Sequence, residues 1–104
     1  MSNITITKVW MNDCKPCKEV DGYLQDLAKT YEFELESYNI TSEDYKERKK
    51  GKQILAKYGT IKVPLLILSV DGEDKESVYR EHVGDDIEDY HTMLTSHLNV
   101  LTNE

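Results

Sequence analysis

The sequence has little basic charge, no long apolar run and few cysteines. Acidic residues outnumber basic ones by 20 to 13 among its 104 residues, which gives a formal net charge of −7. A surface of this sign is unsuited to phosphate backbones or anionic lipid, so neither nucleic acid nor a membrane is expected as a partner. No apolar stretch approaches a membrane span, and the first residues do not join a basic segment to an apolar one. We therefore expect a cytoplasmic protein.

Only two cysteines are present, Cys14 and Cys17, and Pro16 stands between them. Two thiols at this spacing on the first turn of a helix can close a small disulfide ring, and the free amide groups of that turn stabilise a thiolate. Pro16 suits this turn because it lacks an N–H and has a fixed φ. In a reducing compartment a pair that is oxidised and reduced in turn is expected rather than a permanent crosslink. The pattern favours a dithiol redox centre.

Two other interpretations of the cysteine pair stay open. A Cys-x-x-Cys motif can be half of a zinc site, but four-coordinate zinc needs two further thiolate or imidazole ligands. The remaining candidates are His82, His91 and His97, and their spacing is not that of a zinc ligand pair. A purely structural disulfide is disfavoured because so short a ring removes little entropy from the unfolded chain. We expect no metal and no cofactor.

Hydrophobic patterns predict one α/β domain over residues 1–104. Alternation over residues 4–10 predicts a strand that leads into the cysteines, and a stripe at i, i+3, i+4 and i+7 predicts a helix over 15–31. A second strand is predicted over 33–40, and a strand-helix-strand unit of this length implies a parallel pair.

The second half of the chain continues the alternation of helix and strand. Its predicted elements are a helix over 43–58, a strand over 63–70 that is buried on both faces, a hairpin turn over 71–74, an antiparallel strand over 76–83, and a final helix with an apolar stripe from Ile87 to Leu101. A break or a solvated face is expected where the second helix becomes highly charged around Gly51.

Three separated motifs resemble the thioredoxin family, and the resemblance covers nearly the whole chain. Trp10 stands four residues before Cys14, residues 56–64 are similar to the segment that leads into the family's cis-proline, and Val83-Gly84 matches the glycine before the last helix. The resemblance implies a minimal thioredoxin fold, β-α-β-α-β-β-α, with a four-stranded mixed sheet flanked by three helices.

The resemblance also implies a thiol–disulfide oxidoreductase that reduces protein disulfides. Cys14 would be the nucleophile, Cys17 would resolve the mixed disulfide, and Lys15 would help to stabilise the thiolate. The implied substrate groove is bordered by Trp10, Val63, Pro64, Gly84 and Asp85. The implied partners are disulfide-containing proteins, with ribonucleotide reductase as one candidate, and the implied electron donor is thioredoxin reductase or the glutathione system. We expect a monomer.

Three positions near the cysteines depart from the family pattern. Lys8 occupies the position of a buried acid that handles the proton of the second thiol, so the family's proton acceptor is missing from that position. Its ammonium group is expected either to extend towards solvent or to hold its proton less tightly. Asp13 replaces an aromatic residue and Lys15 a small one. Asp13 opposes a thiolate at Cys14 and Lys15 favours it. The sequence alone therefore does not fix the direction of their combined effect on that thiolate.

Two alternative functions remain. Gly84-Asp85-Asp86 resembles the segment with which glutaredoxins hold glutathione, although Met11 and Lys15 stand where glutaredoxins usually carry lysine and proline. The chain could instead be a non-enzymatic binding module, with the two cysteines as a redox sensor or as half of an intersubunit metal site. The presence of all three motifs together counts against that second alternative.

Overall fold

The computed structural model describes residues 3–78 and 87–102, which form four strands and three helices. The strands are β1 (Ile4–Trp10), β2 (Glu34–Asn39), β3 (Leu65–Val70) and β4 (Glu73–Val78). The helices are α1 (Lys15–Ala28), α2 (Tyr45–Lys57) and α3 (Ile87–Thr102). This order confirms the element sequence predicted above.

The strands form one mixed sheet in the order β2-β1-β3-β4. β1 pairs in parallel with β2 and antiparallel with β3, and β4 returns antiparallel to β3. β1 is therefore a central strand, and the loop after it delivers the cysteines to the carboxyl end of the β1–β2 pair. The predicted parallel pair and hairpin are both confirmed.

Alternation along the central strands divides the core between the two faces of the sheet. One face packs against α1 and α3, and its buried members include Ile6, Leu24, Leu66, Leu68, Tyr90, Leu94 and Leu98. The other face packs against α2 and contains Val9, Cys14, Cys17, Leu55, Val63, Leu65 and Ile67. Every residue of β3 is buried, as its unbroken apolar run predicts. The cysteine pair thus belongs to the core cluster on the α2 side.

Helix α2 runs unbroken through the charged stretch, so a break at Gly51 is the wrong alternative. Gly51 is buried, and a Cβ at this position would lie only 2.8 Å from Cγ2 of Ile40. The glycine is there because the helix approaches the end of β2 too closely for a side chain. The other alternative, a solvated face, is correct for the exposed lysines of this helix: Lys46, Lys49, Lys50, Lys52 and Lys57.

The hairpin turn is shorter than the predicted turn over 71–74. Asp71 and Gly72 alone form it, with φ values of 52° and 86°, and β4 begins at Glu73. Positive φ at both central positions is the requirement of the two-residue turn that best matches strand twist, and Asp-Gly satisfies it. The strand expected to continue over 79–83 passes outside the described residues.

The ends of the helices differ slightly from the predicted bounds. α1 ends at Ala28 rather than at 31, because the N–H groups of Thr30 and Tyr31 both bond the carbonyl of Leu27 and close the last turn. α2 begins after Asp44, whose carboxylate accepts a hydrogen bond from the backbone N–H two residues on. Within the described parts of the chain, none of the helices is long and apolar enough to cross a membrane.

Candidate active site

Cys14 and Cys17 form a disulfide at the start of α1, with their Cα atoms 5.3 Å apart. Cys14 is the N-cap residue, and its sulfur accepts a hydrogen bond from the backbone N–H of Cys17 at 3.1 Å. Cys14 is 7% exposed and Cys17 only 1% exposed. Both residues are therefore buried, Cys17 more completely than Cys14, and the helix N-terminus directs an amide group at the Cys14 sulfur.

Pro16 and Lys15 occupy the first turn of the helix between the two cysteines. Pro16 is half buried, and Lys15 is exposed at the first helical position. Asp13, directly before the cysteines, is exposed and has a φ of 59°. Aspartate tolerates this left-handed conformation better than most residues, because its side chain can bond to nearby backbone. This backbone conformation lets the chain turn sharply from β1 into α1.

The peptide bond between Val63 and Pro64 is cis, immediately before β3 begins. Val63 lies in the same buried cluster as both cysteines. The carbonyl of Pro64 accepts a hydrogen bond of 3.0 Å from the buried hydroxyl of Tyr90 on α3. Tyr90 thereby anchors the segment that faces the cysteines, a role that its place in an apolar stripe does not indicate.

A polar network supports the loop that precedes Cys14. The side chain of Asn39, at the end of β2, donates to Oδ1 of Asn12 at 3.1 Å and accepts from the hydroxyl of Thr41 at 2.7 Å. The Oγ1 of Thr41 also accepts from the backbone N–H of Asn12 at 2.8 Å. Because Asn12 lies 27 residues from Asn39 and 29 from Thr41 in sequence, no local pattern predicts that these residues meet.

Trp10 and Lys8 lie beside the disulfide at the end of β1. The indole N–H of Trp10 donates to the hydroxyl of Ser37 at 2.7 Å, and the Lys8 ammonium lies 5.2 Å from the centre of the indole ring. Lys8 is 2% exposed and forms an ion pair with Asp21 of α1. The expectation that Lys8 extends towards solvent is therefore wrong, because the partner that holds it inward lies on the helix packed against this face.

Asp21 is the functional candidate that the sequence patterns missed. It lies four residues after Cys17 on α1, so both side chains share one face of the helix. Both also line a cleft of about 360 Å³ that Lys8 and Trp10 border. The spacing from Cys17 could have pointed to Asp21, but its pairing with Lys8 depends on how α1 lies across β1.

Gly84 and Asp85, predicted to border the substrate groove, lie outside the described residues, as do Asp86 of the glutaredoxin-like segment and His82. Among the residues that the structure does describe, no group of three or more histidine, cysteine or carboxylate side chains is arranged to hold a metal ion.

A mixed sheet of this order, with a cysteine pair opening the first helix, is the thioredoxin-like fold. Solved thioredoxins share the fold. Against mitochondrial thioredoxin 3 from Saccharomyces cerevisiae the TM-score is 0.65 at 14% identity, with 93% of this chain and 77% of that chain covered. Against Fasciola hepatica thioredoxin the TM-score is 0.64 at 16% identity, with 93% of this chain and 79% of that chain covered.

Among curated proteins, the chain is similar to plant thioredoxins. It is 25% identical over 73 residues to the chloroplastic thioredoxin M3 of Oryza sativa subsp. japonica, and 27% identical over 73 residues to the chloroplastic M-type thioredoxin of Triticum aestivum. Each alignment covers 70% of this chain and 38% of the relative, so the chain spans less than two fifths of their length. No family model matches the chain.

Proposed function

We propose that the chain is a thiol–disulfide oxidoreductase of the thioredoxin type, which reduces disulfides in other proteins. One observation carries the proposal: the Cys14 sulfur caps α1 and accepts the Cys17 N–H, while Cys17 lies behind it at 1% exposure. Such an arrangement stabilises the thiolate of the more accessible cysteine and keeps a second, more deeply buried thiol in reserve.

The reaction takes place in two exchanges. The Cys14 thiolate attacks one sulfur of a substrate disulfide, a mixed disulfide forms, and the first substrate thiolate leaves. Cys17 then loses its proton and attacks the Cys14 sulfur, which forms the Cys14–Cys17 disulfide and releases the second substrate thiolate. The substrate disulfide gains two electrons, and the protein dithiol loses them.

The surroundings of Cys14 suit an extended substrate segment. Val63 places a backbone segment beside the disulfide, and Met11 and Ile61 are exposed apolar side chains on the neighbouring loops. Backbone hydrogen bonds with apolar contacts on either side bind a chain with little dependence on its sequence. We propose disulfide-containing proteins as substrates and a monomer as the working form.

For the electron donor we propose thioredoxin reductase rather than glutathione. The similarity to plant thioredoxins supports this choice, and so do Met11 and Lys15, which depart from the glutaredoxin pattern. The cytoplasmic location stays a prediction.

Insulin disulfide reduction tests both the activity and the donor. The assay is run in parallel with NADPH plus thioredoxin reductase, and with NADPH, glutathione and glutathione reductase; Cys14→Ser is the control in both. We expect turnover with the first system only. Turnover with the second system only would make the protein a glutaredoxin. If the dithiothreitol-reduced protein also fails to reduce insulin, the chain is a binding module and not an oxidoreductase.

A further inference from the structure

The second exchange requires a base for the Cys17 proton. A thiol with an ordinary pKa near 8.5 is largely protonated at neutral pH, and burial disfavours its thiolate further. Cys17 is 1% exposed, so bulk water has little access to its sulfur. The position that carries a buried acid in the resembling family holds Lys8 in this chain, and an ammonium group cannot accept a proton.

Asp21 is a carboxylate placed to accept that proton. It stands one helical turn after Cys17 on the same face of α1, and both residues line the same cleft. This cleft of about 360 Å³ is large enough to hold several water molecules. The Asp21 side chain is 49% exposed, so a proton taken up there can pass on to solvent.

Lys8 holds Asp21 in this position. Its side chain comes from β1, lies buried beneath the helix, and pairs with one carboxylate oxygen of Asp21. The strand position where the resemblance implies an acid thus holds a cation in this chain, and the carboxylate of the pair lies on the helix. The other charged groups at the cleft are Asp13 from the loop and Lys18 from α1; the sheet contributes only Lys8 and the uncharged Trp10.

We propose that Asp21, positioned by Lys8, accepts the Cys17 proton when Cys17 resolves the mixed disulfide. This inference rests on the proposed function. In the step, the S–H bond of Cys17 breaks and its proton moves through water to the carboxylate. The sulfur bonds to the Cys14 sulfur, and the substrate thiolate leaves with the electron pair of the broken disulfide bond. Asp21 then returns its proton to solvent.

A two-phase reaction with the disulfide reagent 5,5′-dithiobis(2-nitrobenzoate) separates this step from the first attack. Attack by Cys14 releases one coloured thiolate, and resolution by Cys17 releases a second. The leaving thiolate needs no proton, so the second phase reports on the deprotonation and attack of Cys17 and not on a general acid. The reduced protein is followed by stopped-flow absorbance from pH 5 to 9 for wild type, Asp21→Asn, Asp21→Glu and Asp26→Asn. Asp26 is the matched control, an exposed carboxylate further along the same helix.

For Asp21→Asn we expect an unchanged first phase and a second phase about 10-fold or more slower at pH 7. The loss should shrink as pH rises, because hydroxide then replaces the carboxylate as the base. Asp21→Glu should recover most of the rate, and Asp26→Asn should match wild type. A purely structural role would not produce this pH dependence.

Two results would overturn the inference while the proposed function survives. One is a second phase in Asp21→Asn within twofold of wild type at every pH. The other is a faster second phase, which would mean that Lys8, once released from its partner, stabilises the Cys17 thiolate directly. Absence of the first phase in wild type would instead contradict the proposed function itself.

Discussion

Gly51 of helix α2 lies directly against Ile40 at the end of β2, with 2.8 Å between a Cβ built on the glycine and the Cγ2 of Ile40. Gly51→Ala should therefore destabilise the protein by about 1–2 kcal/mol, because the side chain forces overlap in a packed interface. This is opposite in sign to the gain expected for removing a glycine from a helix interior. Urea unfolding measures the difference in the free energy of unfolding.

Gly22 provides the control for that substitution. It lies in helix α1, it is exposed, and no atom approaches within 4 Å of a Cβ built there. Gly22→Ala should stabilise the protein by roughly 0.5–1 kcal/mol. Equal stabilisation by both alanines would show that α2 does not pack closely against Ile40.

Asp74 connects the hairpin to the end of α2 and gives stability that depends on pH. Its carboxylate accepts hydrogen bonds from the hydroxyl of Tyr58 at 2.7 Å, the ammonium of Lys57 at 3.0 Å and the hydroxyl of Ser69 at 2.9 Å. The bonds from Tyr58 and Lys57 lower the pKa of Asp74, although partial burial opposes them. Partial burial is the main cause that raises the pKa of Tyr58 above its usual value, and the hydrogen bond to the Asp74 carboxylate raises it further.

The signs of these shifts predict the effect of pH on Asp74→Asn. A lowered carboxyl pKa stabilises the fold above the unfolded value, and that stability disappears as pH falls through the folded value. Asp74→Asn should therefore lower the free energy of unfolding at pH 7. The loss should be under about 1 kcal/mol, because the Asp74 side chain is 37% exposed, and it should shrink progressively towards pH 2. Urea unfolding across this range checks it, with the exposed Glu73→Gln as control. If the free energy of unfolding changed with pH in the same way for wild type and Asp74→Asn, the prediction would be contradicted.

On the alkaline side, the raised pKa of Tyr58 has the opposite consequence. The stability that Tyr58 contributes is fully present below the usual tyrosine pKa of 10.0. It is lost as the pH rises through the raised pKa of Tyr58 in the folded protein. Wild type should therefore lose stability above pH 10 more steeply than Tyr58→Phe.

The hydroxyl of Tyr90 anchors the carbonyl of Pro64 beside the disulfide. Tyr90→Phe leaves that buried carbonyl without this donor, which should lower the free energy of unfolding by about 1–2 kcal/mol. The KM for insulin should rise, because the segment proposed to face the substrate loses an anchor. Tyr31→Phe is the control, since it removes an exposed hydroxyl bonded to Asn99, on a side chain that packs against the core cluster without the cysteines. Equal effects of both substitutions on KM would remove the special role of Tyr90.

Lys15 and Asp13 flank Cys14 and should change its reactivity in opposite directions. In a Cys17→Ser background, Lys15→Gln should slow alkylation of Cys14 by iodoacetamide at pH 7 by about twofold, because a nearby positive charge favours the thiolate. Asp13→Asn should speed it by a similar factor. Both effects should fade at high salt. A change in the same direction for both variants would contradict an electrostatic origin.

The element order could be predicted from the sequence because its apolar patterns are local. The run 65–70 is buried on both faces, and the i, i+4 stripe from Tyr90 through Leu94 to Leu98 faces the sheet, as their periods require. The break considered at Gly51 does not occur, and the reason is physical. A glycine that ends a helix and a glycine that allows close packing look alike in a sequence, and only the distance to Ile40 separates them.

The candidate site was predictable where its residues are adjacent in sequence and hidden where they are not. The spacing of Cys14 and Cys17 and the proline before β3 are visible in the chain. The partner of Lys8 is not, because Asp21 meets it only through the packing of α1 on β1. Likewise, Asn39 meets the loop before the cysteines only because β1 and β2 are paired in parallel.

Trapping the mixed disulfide tests the central claim most directly. Cys17→Ser and Cys14→Ser are each reduced, mixed with insulin, quenched with acid and analysed by intact mass under non-reducing conditions. Cys17→Ser should accumulate a covalent adduct that dithiothreitol reverses, and Cys14→Ser should form none. An adduct on Cys14→Ser but not on Cys17→Ser would reverse the roles of the two cysteines, and an adduct on neither would contradict disulfide exchange by this pair.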